Sequence, residues 1–257
     1  SIGEVVGNKS EFWMKDVSEL PDFYKALDYY EKSFKIREKF DDLRETEEII
    51  QVLIMMHRFT KNTDKLLEYA HKSYDIQLKI SNQNLDNRKG EINSLNLLGR
   101  SYLEETNDYR KALQFFIKSN EIHKSLNDTL GTWFASNLMN ISRSYGALGN
   151  ISKELNYAKQ SLKILEDMGN KAFKHQSGII LRNHLGYIAK LNFNLGKYDK
   201  AIEFYHRAIN VNKDQNINLN GDDKSFFNGI GISYFLKNKY EKAKEYLISS
   251  IELGKAI

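Results

Sequence analysis

The residue types in this chain that could do chemistry are six histidines, one acidic cluster, and asparagines and arginines at helical spacing. The histidines are His57, His71, His123, His175, His184 and His206, and they show no metal spacing. His175 and His184 stand nine apart, off a common helix face, whereas a metal needs several ligands converging on one point. Absence of cysteine excludes disulfides and thiolate zinc sites. Asp41, Asp42, Glu45, Glu47 and Glu48 straddle a turn and a helix start, where carboxylates favour the helix dipole. Asp222 and Asp223, following Gly221, read as a helix cap. No nucleophile elbow, phosphate loop or zinc-helix motif occurs, so no catalytic residue, metal ligand or cofactor is assigned. What remains is Asn96 and Arg100, four apart on one helix face. An Asn amide can pair with a backbone N–H and C=O together, and a guanidinium can fork onto a carboxylate. That chemistry suits an extended peptide.

The elements that must position these residues announce themselves by repetition. Residues 107–122, NDYRKALQFFIKSNEI, recur in altered form at 22–36, 62–76, 149–164, 196–211 and 238–253. Each copy has a turn residue, then Lys, a small or apolar residue, an aromatic three positions on, and Ser or Ala before the last apolar one. The place of Ala112 recurs at Ala26, Leu66, Glu154, Ala201 and Ala243, in steps of 40 to 47 residues. A period in this range marks a helical solenoid. Within a copy the apolar residues follow an i, i+3/i+4, i+7 stripe rather than strand alternation.

Partner helices carry their own signature: a small residue at Gly99, Ser142 and Gly231, and a tyrosine three later at Tyr102, Tyr145 and Tyr234. Ala189 with Asn192, and Ile54 with His57, are weaker matches. A mid-helix Gly costs about 0.5–1 kcal/mol against Ala, so its recurrence predicts a following helix pressed too close for a Cβ. Helices are expected over 22–40, 44–60, 63–81, 88–106, 108–126, 130–148, 151–168, 171–195, 198–213, 222–237 and 240–256, with a short one over 11–20. Asn and Gly in the breaks tolerate the left-handed conformation that ends a helix. The aromatic pairs Tyr29/Tyr30, Phe115/Phe116 and Phe204/Tyr205 read as core at helical spacing.

Bulk properties agree. Hydrophobic residues make up 41% of 257 and aromatics 12%, enough for a core. A single Pro permits long helices. Net charge is +4, from 38 basic and 34 acidic residues, too balanced to argue for nucleic acid or a membrane surface. No apolar run reaches the roughly 18–20 residues of a membrane span, no signal-peptide pattern is present, and the cytoplasm is the expected location. The first residue is not Met, so a piece of a longer protein is expected.

On Ser142, Tyr145, Gly149 and the 154 position, and again on Gly231, Tyr234, Tyr240 and Ala243, the pattern resembles the tetratricopeptide repeat. The resemblance covers about residues 22–257. It departs from the family in its period, longer than the usual thirty-four, and in the missing Pro near the end of the second helix (Glu38, Leu78, Lys124, Glu166 and Lys213 instead). Long-period, Pro-less repeats are similar to those of bacterial signalling proteins, of animal cell-polarity scaffolds, and of Gram-positive quorum receptors including Rap-type phosphatase regulators.

The resemblance implies an all-α fold, a right-handed superhelical α-solenoid of about six helix-turn-helix repeats. One domain would span 22–257, with 1–21 an irregular segment or partial first repeat. It implies that the first helix of each pair lines a concave groove. The groove positions then hold Asn93, Asn96 and Arg100, next Met139, Asn140 and Arg143, then Asn183 and Lys190, and last Asn228. The expected function is non-catalytic: a sensor or scaffold module binding a protein or peptide with an acidic group near Arg100 and Arg143. The alternatives are a Rap-type pheromone receptor and the regulatory arm of a kinase, cyclase or protease. The last helix keeps Ala243, Tyr246, Leu247, Ile251, Leu253 and Ile257, where arrays usually end in a polar cap, so a continuation or a homodimer through that helix is expected.

Overall fold

Each break in the apolar pattern becomes a tight turn with the same backbone logic. In a computed structural model, residues 21–40, 42–83, 88–168, 175–214 and 221–256 are described. Gly149 and Gly196 adopt φ of 76° and 70°, and Lys61, Asn107, Asn127 and Asn238 also take positive φ. The next amide then reaches back five residues, as in Asn62 to His57, Asp128 to His123, Asn150 to Tyr145, Lys197 to Asn192 and Lys239 to Tyr234. This pairs carbonyls that the helix end would leave orphaned. The side chains of Asn62, Asp108 and Asn150 then accept the amides of Lys65, Lys111 and Lys153, opening the following helix.

Among the described residues every regular element is a helix, and they fall into two compact units, divided after Ile122. The first holds α1 (Pro21–Arg37), α2 (Leu43–Phe59), α3 (Thr63–Gln83), α4 (Lys89–Glu104) and most of α5 (Tyr109–Ser125). In the second are α6 (Thr132–Ala147), α7 (Ile151–Asp167), α8 (His175–Asn194), α9 (Tyr198–Asp214), α10 (Gly221–Leu236) and α11 (Tyr240–Ala256). Consecutive helices pack in pairs, and α6, α8 and α10 also touch in succession. The short helix expected over 11–20, and the beginning of the one expected from 171, lie outside the described residues.

The recurring small positions are where neighbours press closest. Ala112 and Ala201 are fully buried, as are Ser73, Ser119, Ser161 and Ala208 seven places after the repeat's first small or apolar residue. Ser73 and Ser161, together with Ser250 at the same place in the last repeat, bond back to the first helix of their own pair: Ser73 to Glu47, Ser161 to the Ala135 carbonyl and Ser250 to the Lys224 carbonyl. A Cβ on Gly99 would fall 2.5 Å from the Phe116 ring, and one on Gly231 2.7 Å from Leu247. The glycine reading holds at both places.

The signature tyrosine stacks on the aromatic of the second helix. Tyr102 lies on Phe115, Tyr145 on Tyr157 and Tyr234 on Tyr246, with ring centres 5.5–5.6 Å apart. His57, the weak match, does the same on Tyr69 at 5.5 Å. The iterated Lys then covers the pair: Lys111 over Tyr102, Lys153 over Tyr145, Lys242 over Tyr234 and Lys65 over Tyr69. A cation over a ring face gains from its quadrupole, which supplies a reason for Lys at that place. Of the aromatic pairs assigned to the core, Phe116 and Tyr205 are buried, whereas Tyr29 is 70% exposed.

Candidate functional site

The iterated packing leaves the polar faces of the first helices free to carry ligand chemistry. In the first unit Asn93, Asn96 and Arg100 follow one another on α4 at i, i+3 and i+7, a single face. Asn93 and Arg100 are exposed and Asn96 is half-buried. The Asn96 Oδ1 is buried without a hydrogen-bond partner among the described residues. A buried amide oxygen of this kind costs free energy until something donates to it.

In the second unit Arg143 of α6 is exposed, and its guanidinium lies 6.0 Å from the centre of the Tyr187 ring on α8. Asn183, Tyr187 and Lys190 are spaced i, i+4 and i+7 along α8, and both Asn183 and Lys190 are exposed. The structure thus brings Arg143 to the face of α8 that carries three of the site's polar groups. Asn140 is half-buried, and its carbonyl accepts the Ser144 hydroxyl at 2.9 Å. Asn228 is exposed on α10.

Met139 behaves differently from its expected place in the groove. It is 4% exposed and packs in the core with Ala135, Leu162 and Leu185. Its apolar side chain gains more from that core than from a polar wall.

Beneath this face lies a buried polar network that sequence reasoning missed. Glu154 takes the repeat's small-residue place, and its carboxylate lies so near α6 that a Cβ on Gly146 would collide with it. Tyr187 donates its hydroxyl to Glu154 Oε1 at 2.7 Å, and Ser142 donates to the Glu154 carbonyl at 2.7 Å. Burial, and then the neighbouring Glu154 carboxylate, push the Tyr187 hydroxyl well above its ordinary pKa. The Ser161 hydroxyl gives its one hydrogen to the Ala135 carbonyl, so the His184 Nδ1 at 2.9 Å must be the donor in that contact. Burial, with the Arg143 charge adding to it, holds His184 down at about 4. The imidazole is therefore neutral near pH 7. The one sequence signal for this network was Glu in a place otherwise held by Ala or Leu.

Asp222 and Asp223 do more than cap a helix. Arg182, only 2% exposed, pairs with Asp222, and its Nη1 stands 3.7 Å from Asp223, itself fully buried. This ties α8 to the start of α10. The arginine beside the groove residue Asn183 is thus a structural group.

Among the acidic cluster, Asp42 caps α2 by accepting the Glu45 amide, and Glu45 pairs with Arg37. Glu47 accepts from Gln51 and Ser73, while burial raises its pKa. A cleft of about 450 Å³ lined by Tyr30, Ser33, Arg37 and Glu48 opens nearby, but its arginine is the one already paired with Glu45. The histidines lie apart: His57 is 3.3 Å from Glu31, His71 bonds Tyr102, His123 bonds the Asp128 carbonyl and His206 meets Tyr246. Among the described residues no group of three or more His, Cys, Asp or Glu could hold a metal, and no helix is long and apolar enough to cross a membrane.

Residues 188–215 match the tetratricopeptide repeat model. No curated protein matches the sequence. Among solved structures the chain is similar to BtubC from P. vanneervenii, with TM-score 0.75, 14% identity and 91% of each chain covered. It is similar to a Rap protein complexed with competence and sporulation factor, with TM-score 0.58 and 16% identity over 99% of this chain and 79% of that one. A third likeness is to a signal-transduction ATPase with a tetratricopeptide repeat sensor from Pyrococcus horikoshii, with TM-score 0.67 and 19% identity over 92% of this chain and 35% of that one. At such identities these likenesses establish the fold, and with it the all-helical, tetratricopeptide-like repeat architecture.

Proposed function

We propose that this tetratricopeptide-like repeat chain is a non-catalytic module, acting over residues 22–257, that binds a peptide or protein segment along the polar faces of its first helices. The observation that carries the reading is the state of two arginines in equivalent places of successive repeats. Arg100 and Arg143 are both exposed, and neither has a carboxylate partner among the described residues. Arg37, Arg58, Arg88, Arg182 and Arg207 are each paired with an acid, whereas Arg44 and Arg110 are exposed and likewise show no ion pair among the described residues. What distinguishes Arg100 and Arg143 is their equivalent place on the first helices, beside Asn96 and against Tyr187 respectively. A free guanidinium held by a ring, as Arg143 is by Tyr187, loses less freedom on forking onto a carboxylate. Asn96, with its buried and unpartnered Oδ1, supplies an acceptor for a peptide N–H. Asn93 adds a polar group on α4 of the first unit, and Asn183, Lys190 and Asn228 add theirs in the second unit, where Met139 lies in the core instead. The ligand is thus a segment bearing an acidic group, in a sensor or scaffold role within a cytoplasmic signalling protein.

The likeness to the Rap protein complexed with competence and sporulation factor supports a narrower version, in which the ligand is a short peptide. The ATPase with a repeat sensor supports another, in which the module regulates an enzyme attached to it. The test is fluorescence anisotropy against a panel of labelled short peptides with Asp, Glu or a free C-terminal carboxylate, beside their amide counterparts. Binding that requires the carboxylate, and weakens about tenfold or more in each of Arg100→Ala and Arg143→Ala, is the expected result. Affinity indifferent to both substitutions would refute the proposed site.

A further inference from the structure

The face that carries Arg143 changes character along the second unit. Arg143 follows the small residue of its repeat, and Lys190 and Ile232 hold the same place on α8 and α10. One turn further on, at the last residue of each helix, stand Ala147, Asn194 and Leu236. All six are exposed, Ile232 at 36% and Leu236 at 46%. Arg143, Ala147, Lys190 and Asn194 keep their exposure although a further repeat packs against each of their helices. These places therefore face away from the direction of stacking, and the exposure of Ile232 and Leu236 belongs to the face itself.

One and two turns earlier the same face holds Asn140 and Ser136, Tyr187 and Asn183, and Gly229 and Ser225. It thus carries two cations and no carboxylate; Glu154 lies beneath it, buried and bonded to Tyr187. From Phe226 onwards α10 is apolar on every side, whereas a helix with one wet face keeps that face polar. Phe226 and Ile230 fill the core, and Phe227 and Tyr234 pack against it. Ile232 and Leu236, four apart, form a separate apolar ridge on the side that α6 and α8 keep cationic.

Packed helices lie about 8–10 Å apart, so α6 to α10 is about 16–20 Å, which an extended chain at about 3.3 Å per residue crosses in five or six residues. We infer that the segment bound on this face carries an acidic residue at one end and a large apolar residue about five or six places away. Arg143 and Lys190 take the acid, and Ile232 and Leu236 take the apolar side chain. This rests on the peptide-binding reading above and adds to it a second requirement. A guanidinium accepts any carboxylate, but a polar side chain laid on the ridge loses its water and gains no partner, so the ridge supplies the discrimination.

Fluorescence anisotropy with labelled, end-capped peptides tests the requirement, the parent peptide having Glu and Leu about six places apart among serines and being made in both orders. Its comparators carry Ser for Leu, Gln for Glu, or Leu moved to two places from Glu. At least one order should bind, and exchanging Leu for Ser or closing up the spacing should weaken it about tenfold or more. Ile232→Ser/Leu236→Ser should weaken the parent peptide similarly, and in that variant the exchange of Leu for Ser should matter less than about twofold. Both substitutions are at exposed places, and circular dichroism checks that the helix content is kept. Peptides that need Glu and Arg143 but bind alike with Leu or Ser overturn this inference and leave the peptide-binding reading standing. A leucine effect undiminished in Ile232→Ser/Leu236→Ser also overturns it, since the leucine then sits elsewhere. Absence of any carboxylate-dependent binding refutes both together.

Discussion

Replacing Gly99 with Ala sets two opposite effects against each other at a site where the structure decides the sign. Helix propensity alone favours Ala by about 1 kcal/mol in a helix interior. Against this, the new Cβ would stand 2.5, 2.7 and 2.8 Å from three carbons of the Phe116 ring. Ordinary carbon contacts begin near 3.5 Å, so the ring or α4 must give way. Phe116 is fully buried, and side chains in a close-packed interior have little room to retreat. Overpacking costs about 1–3 kcal/mol, and three ring contacts below 3 Å put this case in the upper part of that range, at about 2–3 kcal/mol. After the propensity gain the net expectation is a destabilisation of about 1–2 kcal/mol. For a chain of this size that lowers the melting temperature by about 2–6 °C, measurable by thermal and urea denaturation. Phe116→Leu in the same chain makes room, so the double variant should lose about 1 kcal/mol less than the sum of the singles. Gly99 also stands between Asn96 and Arg100, so shifting α4 should weaken peptide binding in step. A Gly99→Ala chain as stable as the parent, or more so, would refute the claim that the glycine is there for close approach.

Other expectations follow from the same structure. Tyr187→Phe leaves the Glu154 carboxylate short of a hydrogen bond and should cost about 1–3 kcal/mol in urea denaturation, whereas Tyr157→Phe should cost less. His184 titrates near 4 when folded and near its ordinary value when unfolded, so the unfolded chain binds the extra proton between those pH values. Its contribution is complete above about pH 6.5 and fades as pH falls towards 4, amounting to roughly 3 kcal/mol; His184→Asn should flatten this part of the stability–pH curve. Lys61 sits at φ 54°, where a β-carbon is strained, and Lys61→Gly should raise stability by up to about 1 kcal/mol in thermal melts. Gly149→Ala should do the opposite by a similar amount, since it has φ 76° and nothing within 4 Å to clash with.

The helical repeat was legible in the sequence because its causes are local. Helix periodicity, a turn glycine or asparagine at positive φ, and a small residue at Gly99 or Gly231 act within one or two adjacent helices, and each copy repeats the same instruction. The exposure of Arg100, Arg143, Asn183 and Lys190 was legible for the same reason, since their places on the helix follow from spacing alone.

Tertiary structure decided which polar groups are spoken for. Arg182 and Asp222 are forty residues apart, as Glu154 and Tyr187 are thirty-three, and nothing in their spacing announces a contact. Met139 and Asn140 are chain neighbours, yet one is core and the other half-buried, because a few tens of degrees of helix rotation decide which side meets the next helix. Whether a buried charge is paired depends on where distant helices place their side chains, and that is settled by packing as a whole rather than by any local pattern.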